Sequence, residues 1–207
     1  MNILVACECS GIVRDALIAR GHNAISCDLK PAQVPGPHLQ CDVRLILHRP
    51  WDGLISHATC RYLTNAGVKW LYRGGRRENG PDPERWRLMQ EGAKFFRMLE
   101  SGPEVQHIPR RAAENPIMHK YAATIVGRRA DQFVHPWWFG SPFQKATGFH
   151  LTGLKPLPRE YERAWYVERG ITIRQDVWLM GPSPDREEKR SRTDPQVARA
   201  MAQYWFP

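Results

Sequence analysis

The chain has 207 residues, of which 42% are hydrophobic and 25% charged, a balance that allows one domain with a buried core. Thirty Lys and Arg against 21 Asp and Glu give a net charge of +9. That excess favours phosphate-bearing partners, with a merely solvated basic surface as the alternative. No stretch is typical of a membrane span or a signal peptide, and the five cysteines form no C-x-x-C pair. We therefore expect reduced thiols, a cytoplasmic protein and no metal site.

Short apolar runs alternate with helical patterns along the first half of the chain, which is typical of a parallel α/β sheet. The first helix is predicted between Gly11 and Gly21, because its apolar positions follow helical spacing and a left-handed residue suits its end. Strands are predicted at residues 3–6, 23–27, 51–56, 108–113, 132–136 and 145–151, with a short one before Asp42. Further helices are predicted at residues 84–100, 117–126 and 195–204, the last with Asp194 as its N-cap.

These patterns divide the chain into three parts. Residues 1–151 are predicted to form the α/β domain, and residues 152–192 a small irregular appendage with one strand at 172–179. Residues 193–207 are predicted to form a C-terminal helix that packs back on the α/β domain. Within the first part, residues 57–83 are predicted to be a loop, and loops of that length in compact domains are usually functional or mobile.

The turn after the first strand is a candidate cofactor site. It reads Ala6-Cys-Glu-Cys-Ser-Gly11 and would place free backbone N–H groups at a helix start, where α/β folds bind nucleotides or cofactors. The signal is weak alone, since the G-x-G-x-x-G fingerprint is missing. Asp28 and Asp42 follow the second and third strands and could face ribose hydroxyls and an adenine amino group. Each is singly explained as well by a cap or turn, but the series favours a binding edge.

Cys60 and Glu114 are the candidate reactive pair. Each follows an apolar strand, so a thiol and a carboxylate could meet at the same edge of the sheet as nucleophile and acid/base partner. Cys60 could also be a small buried hydrophobe and Glu114 a helix cap. Basic neighbours, Arg61, Lys69 and Arg73, would favour the thiolate, and a carboxylate between an apolar strand and Asn-Pro is partly desolvated.

Other polar and aromatic side chains are interpreted as structural. The histidines at positions 57, 107, 119, 135 and 150 are scattered, and we interpret them mostly as structural or surface residues. A hydrolase in which His57 activates Cys60 is a further hypothesis, which would need His57 to turn back onto the thiol. The Trp137-Trp138-Phe139 run could stack a base, although such aromatics more often belong to the core.

Several blocks of the chain resemble the motifs of cytosine carbon-5 DNA methyltransferases, in the order of that family. Residues 60–67 and 80–85 are similar to its catalytic loop and the helix start that follows. The Glu114-Asn115-Pro116 segment resembles its Glu-Asn-Val. Residues 11–14, followed by Gly21-His22, are similar to its cofactor loop.

Two later blocks extend this resemblance over nearly the whole chain. Residues 139–145 resemble the family's Gly-x-Pro block with following basic residues, of which Lys145 is one. Residues 193–202 are similar to the closing helix that packs beside the cofactor loop. More narrowly, the chain resembles short phage and prophage methyltransferase-like proteins that lack a target recognition domain.

The resemblance implies a Rossmann-like S-adenosylmethionine-dependent methyltransferase fold with a mostly parallel sheet. It implies that Cys60 attacks carbon 6 of a cytosine or related pyrimidine while Glu114 contacts N3 and the exocyclic amine, so that carbon 5 accepts the methyl group. The catalytic residues that it implies are Cys60, Glu114 and Lys145. The implied cofactor-binding residues are Cys7, Glu8, Ser10, Gly11, Ile12, Val13, Asp28, Leu29, Asp42 and Val43, with Asp28 at the ribose and Asp42 at the adenine. The implied substrate-binding residues are Thr59, Asn65, Arg85 and Asn115.

Three positions depart from the family pattern. Thr59 stands where the family has Pro before the nucleophile, Cys9 replaces a glycine, and Glu8 replaces a small residue. Too few residues separate Leu151 from the closing helix for the large domain that reads DNA sequence. Because a base in a duplex must be flipped out, the expected substrate is a pyrimidine nucleotide, single-stranded DNA, or DNA bound with a partner protein, in a bacterial or phage-infected cell. The alternative is a degenerate homologue, a phage accessory protein, that binds nucleotide or nucleic acid without turnover.

Overall fold

The structure, a computed structural model, describes residues 1–175 and 191–207. Seven strands form one sheet. They are β1 (Asn2–Ala6), β2 (Asn23–Asp28), β3 (His38–Gln40), β4 (Gly53–Ser56), β5 (Arg110–Asn115), β6 (Gln132–Val134) and β7 (Thr147–Thr152). The described α-helices are α1 (Ile12–Ile18), α2 (Pro83–Ser101), α3 (Lys120–Val126), α4 (Arg163–Glu168) and α5 (Pro195–Trp205).

The strand order is β3-β2-β1-β4-β5-β7-β6. Strands β1 to β5 are parallel to one another, while β7 runs antiparallel between β5 and β6. This confirms the predicted Rossmann-like α/β fold with a mostly parallel sheet. The order reverses between β1 and β4, which makes the crevice outside their carboxyl ends the expected ligand position.

Apolar side chains of the central strands alternate between two hydrophobic layers. In β1, Leu4 and Ala6 pack towards α2 and α3, while Ile3 and Val5 pack towards α1 and α5. Both faces of the sheet are therefore covered, as parallel sheets require. The closing helix α5 packs against α1, and the ring of Phe206 lies so close to Gly53 that a Cβ there would meet it at 2.4 Å.

Aspartate side chains begin the two longer helices. The Asp82 carboxylate accepts the Arg85 N–H at 3.0 Å at the start of α2. The Asp194 carboxylate accepts the N–H groups of Gln196 and Val197 at the start of α5. Each aspartate is followed by Pro at the first helical turn, a local signal for a helix start. Because this signal is visible in the sequence, both helices begin within one residue of their predicted positions.

Strand β5 lies two residues further along the chain than predicted. Its register is set by pairing with both neighbours, since Ala113 is opposite Ser56 of β4 while Glu114 and Asn115 are opposite Phe149 and Gly148 of β7. The prediction that the strand ends before Glu114 is wrong, because this pairing cannot be inferred from the local apolar run. Glu114 and Asn115 are instead the last residues of the strand.

Two other predicted elements differ in extent. Helix α3 begins at Lys120 rather than near residue 117, with the His119 ring accepting the Ala122 N–H at 3.2 Å as the cap. The predicted loop at residues 57–83 contains three 3₁₀ turns, at Asn65–Leu71, Arg73–Gly75 and Arg77–Asn79.

Beyond β7 the described chain is mostly irregular. Of the strand predicted at 172–179, the structure describes residues 172–175, where Arg174 forms an isolated bridge with Phe143; the rest lies outside the described residues. The same applies to part of the predicted appendage, so the division into domains stays a prediction. Among the residues described, no helix is long and apolar enough to cross a membrane.

Candidate active site

The carboxyl ends of the five parallel strands bring both candidate sites to one edge of the sheet. At this edge the Glu8 N–H donates to the Cys27 carbonyl at 3.1 Å and the His57 N–H to the Ala6 carbonyl at 2.9 Å. The turn after β1 therefore lies against the end of β2 on one side and the start of the Cys60 loop on the other. We call residues 57–65 the Cys60 loop.

Glu8 occupies the start of α1. One oxygen of its buried carboxylate accepts the Val13 N–H at 2.8 Å and the Ser10 hydroxyl at 3.1 Å, and the other accepts the Arg14 N–H at 3.3 Å. The Ile12 N–H lies 3.4 Å from the Ser10 hydroxyl oxygen. The expectation of free N–H groups at this helix start is therefore wrong. A carboxylate of the chain itself already satisfies the positive end of the helix.

Gly11 is required by the protein's own packing. Its φ of 77° is left-handed, and a Cβ there would lie 2.5 Å from the guanidinium of Arg14 and 2.7 Å from Val34. Arg14 is fully buried and donates to the Pro35 carbonyl at 2.9 Å, which holds the Pro-rich turn over α1. The space beside Gly11 is thus filled by a side chain of the same helix.

Cys7 lies within the electrostatic range of the strand-end carboxylates. Burial and, after it, the charges of Asp28, Cys27 and Asp42 together raise the pKa of its thiol to about 12. The φ of Cys7 is 59°, the one left-handed value at a described residue other than glycine. Cys7 therefore lies near both Asp28 and Asp42 at this edge of the sheet.

The two aspartates differ in availability. Asp28 accepts the Lys30 N–H at 2.9 Å through one oxygen, and the side chain of the next residue, Leu29, is 72% exposed. Asp42 instead forms a 2.6 Å ion pair with Arg44, which lowers the pKa of the carboxyl through hydrogen bonding, and it also caps a short turn that begins at the buried Val43.

These contacts fit the adenosine part of an S-adenosylmethionine molecule better than its charged amino-acid part. The second oxygen of Asp28 and the exposed apolar side chain of Leu29 suit a ribose and a ring beside it. At the turn after β1, Glu8 has taken the helix N–H groups that a charged ligand group would use. Asp28 and Leu29 are the residues that fit the group, and Glu8 and Asp42 are already engaged with the chain.

The Cys60 loop is tied to the segment that follows Glu114. The Asn65 N–H donates to the Ile117 carbonyl and the His119 N–H to the Leu63 carbonyl, each at 2.9 Å. The buried His119 ring also contacts the Tyr62 carbonyl at 2.9 Å. Because its other nitrogen accepts a helix N–H, the nitrogen facing Tyr62 carries the proton. The loop after the thiol and the loop after the carboxylate are therefore one hydrogen-bonded unit.

Glu114 contacts a histidine that the sequence analysis left outside the site. The His57 Nδ1 atom lies 3.5 Å from the Glu114 Oε2 atom, and the two side chains are 10% and 15% exposed. Adjacent parallel strands place them, because Ser56 and Ala113 are opposite one another in β4 and β5. His57 stands three residues before Cys60 at a strand's carboxyl end, and that position is the signal that could have marked it.

Unpaired polar atoms lie at the carboxyl ends of β4 and β5. The Ser56 hydroxyl, the His57 Nε2 atom and both amide atoms of Asn115 are buried and have no hydrogen-bond partner within the described parts of the chain. Buried polar groups are normally paired, and leaving one unpaired costs about 1–3 kcal/mol. Of these groups, the His57 ring contacts Glu114, and an unpaired atom on that ring is expected where a ligand completes a site.

Lys145 and Glu114 line one narrow cavity of about 10 Å³, together with residues of α5 and the segment before it. The Lys145 ammonium donates to the Arg192 carbonyl at 2.9 Å. The cavity has the size of about one water molecule. Two of the predicted catalytic residues thus line the same cavity.

Two of the four predicted substrate residues lie within the Cys60 loop, and a third contacts it. Thr59 and Asn65 are exposed, and Cys60 between them is half-buried. Arg85, in the first turn of α2, lies over the ring of Tyr62 at 5.1 Å. Asn115 is buried beside Glu114.

Aromatic side chains lie both in the core and at exposed positions. Trp137 and Phe139 are buried, which confirms the core interpretation for them, and Trp138 is half-buried beneath the Arg159 guanidinium at 4.4 Å. Trp70, in the long loop, is 46% exposed, with the Lys69 ammonium 4.9 Å from its ring centre.

None of the five cysteines forms a disulfide. Within residues 1–175 and 191–207, no three His, Cys, Asp or Glu side chains are grouped to hold a metal ion.

No protein-family model and no curated protein matches the chain. Among solved structures, it is similar to a DNA modification methyltransferase encoded within an Escherichia coli prophage, at 16% identity and a TM-score of 0.45. It is also similar to the Entamoeba histolytica methyltransferase EhMeth, at 12% identity and 0.45, and to a Spodoptera frugiperda DNMT2 mutant, at 11% and 0.39. These matches cover 73%, 88% and 78% of this chain. They span 46%, 60% and 51% of the other chains, about half their length.

Proposed function

We propose that this protein transfers a methyl group from S-adenosylmethionine to carbon 5 of a cytosine or related pyrimidine, in a nucleotide or DNA, through a covalent adduct with Cys60. One observation carries the proposal. The Cys60 loop is hydrogen-bonded to the segment that follows Glu114, at an edge where buried polar side chains lack partners. A nucleophile, a carboxylic acid and unpaired hydrogen-bonding groups are what pyrimidine activation needs.

The chemistry of the chain's own residues follows from their types. The Cys60 thiol gives its proton to solvent and its sulfur bonds to carbon 6. The C5=C6 electron pair then shifts to C4=C5, and the C4=N3 pair takes up the proton that Glu114 gives to N3. Carbon 5 becomes nucleophilic and takes the methyl group while the C4=N3 double bond re-forms. Solvent then accepts the carbon-5 proton, the electrons of that C–H bond form C5=C6 and expel the sulfur as a thiolate, and N3 returns its proton to Glu114. Covalent addition divides one difficult step into easier ones.

S-adenosylmethionine, bound through Asp28 and Leu29, would supply the electrophilic methyl group. Glu114 holds and moves the proton at N3, Asn115 offers amide hydrogen bonds to the base, and Lys145 adds a positive charge to the cavity that Glu114 lines. None of these side chains needs a metal ion for this role.

The substrate is proposed to be single-stranded nucleic acid or a nucleotide. Exposed Trp70, stacked with Lys69, lies in the long loop that also carries the exposed residues Arg73, Arg76 and Arg77. An aromatic side chain among cations is how proteins bind unpaired bases and the phosphates beside them. Together with the net charge of +9, this surface favours a strand that runs past the Cys60 loop.

The adduct itself is the test. A single-stranded oligonucleotide containing 5-fluorocytosine, incubated with the protein and S-adenosylmethionine, is expected to yield a covalent complex in a denaturing gel, because fluorine at carbon 5 cannot leave as a proton. Cys60→Ser should form no complex, while the matched variant Cys41→Ser should form as much as the wild type. Absence of a complex when the cofactor binds, or a complex that persists in Cys60→Ser, would rule out the proposal.

A second candidate function is favoured by Glu8. Since its carboxylate occupies the start of α1, a homologue that binds nucleic acid without using the cofactor is consistent with the site. Calorimetric titration with S-adenosylmethionine separates the two. The methyltransferase proposal expects binding that Asp28→Asn weakens about tenfold, the effect of losing a charged hydrogen bond. No heat from the cofactor, with tight binding of an oligonucleotide, would favour the second candidate.

A further inference from the structure

We propose that His57 is a positioning residue for Glu114: it holds one oxygen of the carboxyl so that the other faces the pyrimidine. This inference rests on the proposed function, which assigns Glu114 its role, and it adds a residue that the family resemblance does not provide. The observation behind it is the 3.5 Å approach of the His57 Nδ1 atom to the Glu114 Oε2 atom, between two side chains that are 10% and 15% exposed.

The backbone fixes both partners before the side chains meet. His57 follows β4 directly and its N–H donates to the Ala6 carbonyl at 2.9 Å, so its position is tied to β1 as well. Glu114 lies within β5, opposite Phe149 of β7. A distance of 3.5 Å is long for such a bond, as catalytic hydrogen bonds often are before a substrate is present.

The protonation of the pair follows from what surrounds the ring. With the proton that Glu114 gives to N3 held on its Oε1 atom, the Oε2 atom accepts, so the contact requires a proton on Nδ1. The Nε2 atom is buried without a partner in the described residues. The proton of the contact therefore lies on Nδ1, between His57 and Glu114.

A purely structural role would leave this arrangement without a reason. A buried imidazole with one bare nitrogen is a poor core residue, because an apolar ring of similar size would bury no unpaired nitrogen. The Ser56 hydroxyl and the Asn115 amide, each next in sequence to one of the pair, are also buried without a hydrogen-bond partner in the described residues. No described donor reaches the Glu114 Oε1 atom, which leaves that oxygen available to N3 and the exocyclic amine.

Three substitutions test the inference in the full chain. In His57→Asn the side-chain amide can replace Nδ1 as donor, whereas in His57→Phe nothing can. For methyl transfer to a single-stranded oligonucleotide, we expect His57→Phe to lower kcat about 100-fold, a typical loss for a displaced acid catalyst, with KM changed less than about twofold. His57→Asn should recover kcat to within about tenfold of wild type. His48→Asn, at an exposed histidine, should behave as wild type.

Wild-type kcat in His57→Phe, or equal losses in His57→Asn and His57→Phe with unchanged urea midpoints, would overturn the inference. A second measurement does not depend on activity. Nitrogen-15 NMR of the histidine rings is expected to locate the His57 proton on Nδ1 in wild type and to find it no longer confined there in Glu114→Ala. A proton on Nε2 in wild type, or no change in the variant, would overturn the inference. If no methyl transfer is found on any substrate, the proposed function fails, and the NMR result still decides whether His57 holds Glu114.

Discussion

Glu8 does at the start of α1 what the sequence analysis assigned to a bound ligand. Glu8 lies four residues before the first residue of the helix, and its carboxylate accepts the N–H groups of Val13 and Arg14. The motif alone could not reveal this, because a glutamate beside a helix start is equally a cap and a ligand contact. Burial decides between them, and Glu8 is buried. Cofactor contacts in the proposed site accordingly centre on Asp28 and Leu29.

The thiols beside this turn should be unreactive at neutral pH. The pKa of Cys7 and of Cys27 is raised from 9.0 to about 12, in both cases mainly by burial. At pH 8 the native protein should then hold roughly 1000-fold less thiolate at each than an ordinary cysteine. Iodoacetamide labelling followed by peptide mass spectrometry should find both thiols unmodified, and modified in urea. Equal labelling in the native and unfolded protein would contradict this picture of the turn.

At the scale of elements, the Cys60 loop depends on α3. His119 caps that helix through one ring nitrogen and contacts the Tyr62 carbonyl through the other. Burial lowers the pKa of His119, which keeps the ring neutral so that one nitrogen can accept and the other donate. The sequence analysis counted this histidine among structural or surface residues. The structure confirms a structural role and shows what it supports.

Removing this ring should release the loop without unfolding the sheet. In His119→Ala, trypsin cleavage after Arg61 should become several-fold faster, because local opening then breaks fewer hydrogen bonds. The urea midpoint should fall by an amount that corresponds to about 1–2 kcal/mol for a lost cap. Limited proteolysis at 25 °C measures the first effect, with His48→Ala as the control. Unchanged cleavage after Arg61 in His119→Ala would show that the loop is held by its backbone bonds alone.

The helices were more predictable than the strands, for a physical reason. Helices α2 and α5 carry their own start signals, Asp82 and Asp194 followed by Pro, and both bonds are local. The bounds of β5 depend on β4 and β7, which lie far away in sequence. The His57–Glu114 contact has the same origin, since 57 residues separate its partners. Local patterns located the thiol and the carboxylate but could not find the contact of His57 with Glu114.

At the scale of the molecule, the sheet order joins all the predicted sites at one edge. Reversal between β1 and β4 leaves Asp28 and Asp42 on one side, and Cys60 and Glu114 on the other. That arrangement is a property of the α/β fold, which the alternation of strands and helices predicted. Which side chains at the edge are engaged by the protein itself, as Glu8 and Asp42 are, emerged only from the packed structure.

Folding stability should fall on both sides of neutral pH. Burial lowers the pKa of His119, His135 and His150, so the unfolded chain binds protons first as the pH drops below the ordinary value of 6.5. The free energy of unfolding of the protein then falls progressively. For Cys7 and Cys27 the unfolded thiols ionise first as the pH rises above 9.0, which again favours the unfolded chain.

Urea midpoints at pH 5, 7.5 and 10 check this dependence. His150→Gln removes one of the acid-side contributions and should show a smaller drop between pH 7.5 and 5 than wild type. Cys27→Ala should likewise show a smaller drop between pH 7.5 and 10. The same drop in every variant would assign the pH dependence to the overall net charge instead.

We propose that Cys60 and Glu114 direct a methyl group to carbon 5 of a pyrimidine. The most direct measurement is nucleoside mass spectrometry of a single-stranded oligonucleotide after incubation with S-adenosylmethionine carrying a ¹³C-labelled methyl group. We predict labelled 5-methylcytosine with the wild-type protein, none with Cys60→Ser, and at least about a 100-fold loss with Glu114→Gln. Label on the exocyclic nitrogen, or labelled 5-methylcytosine made at the wild-type rate by Cys60→Ser, would contradict it.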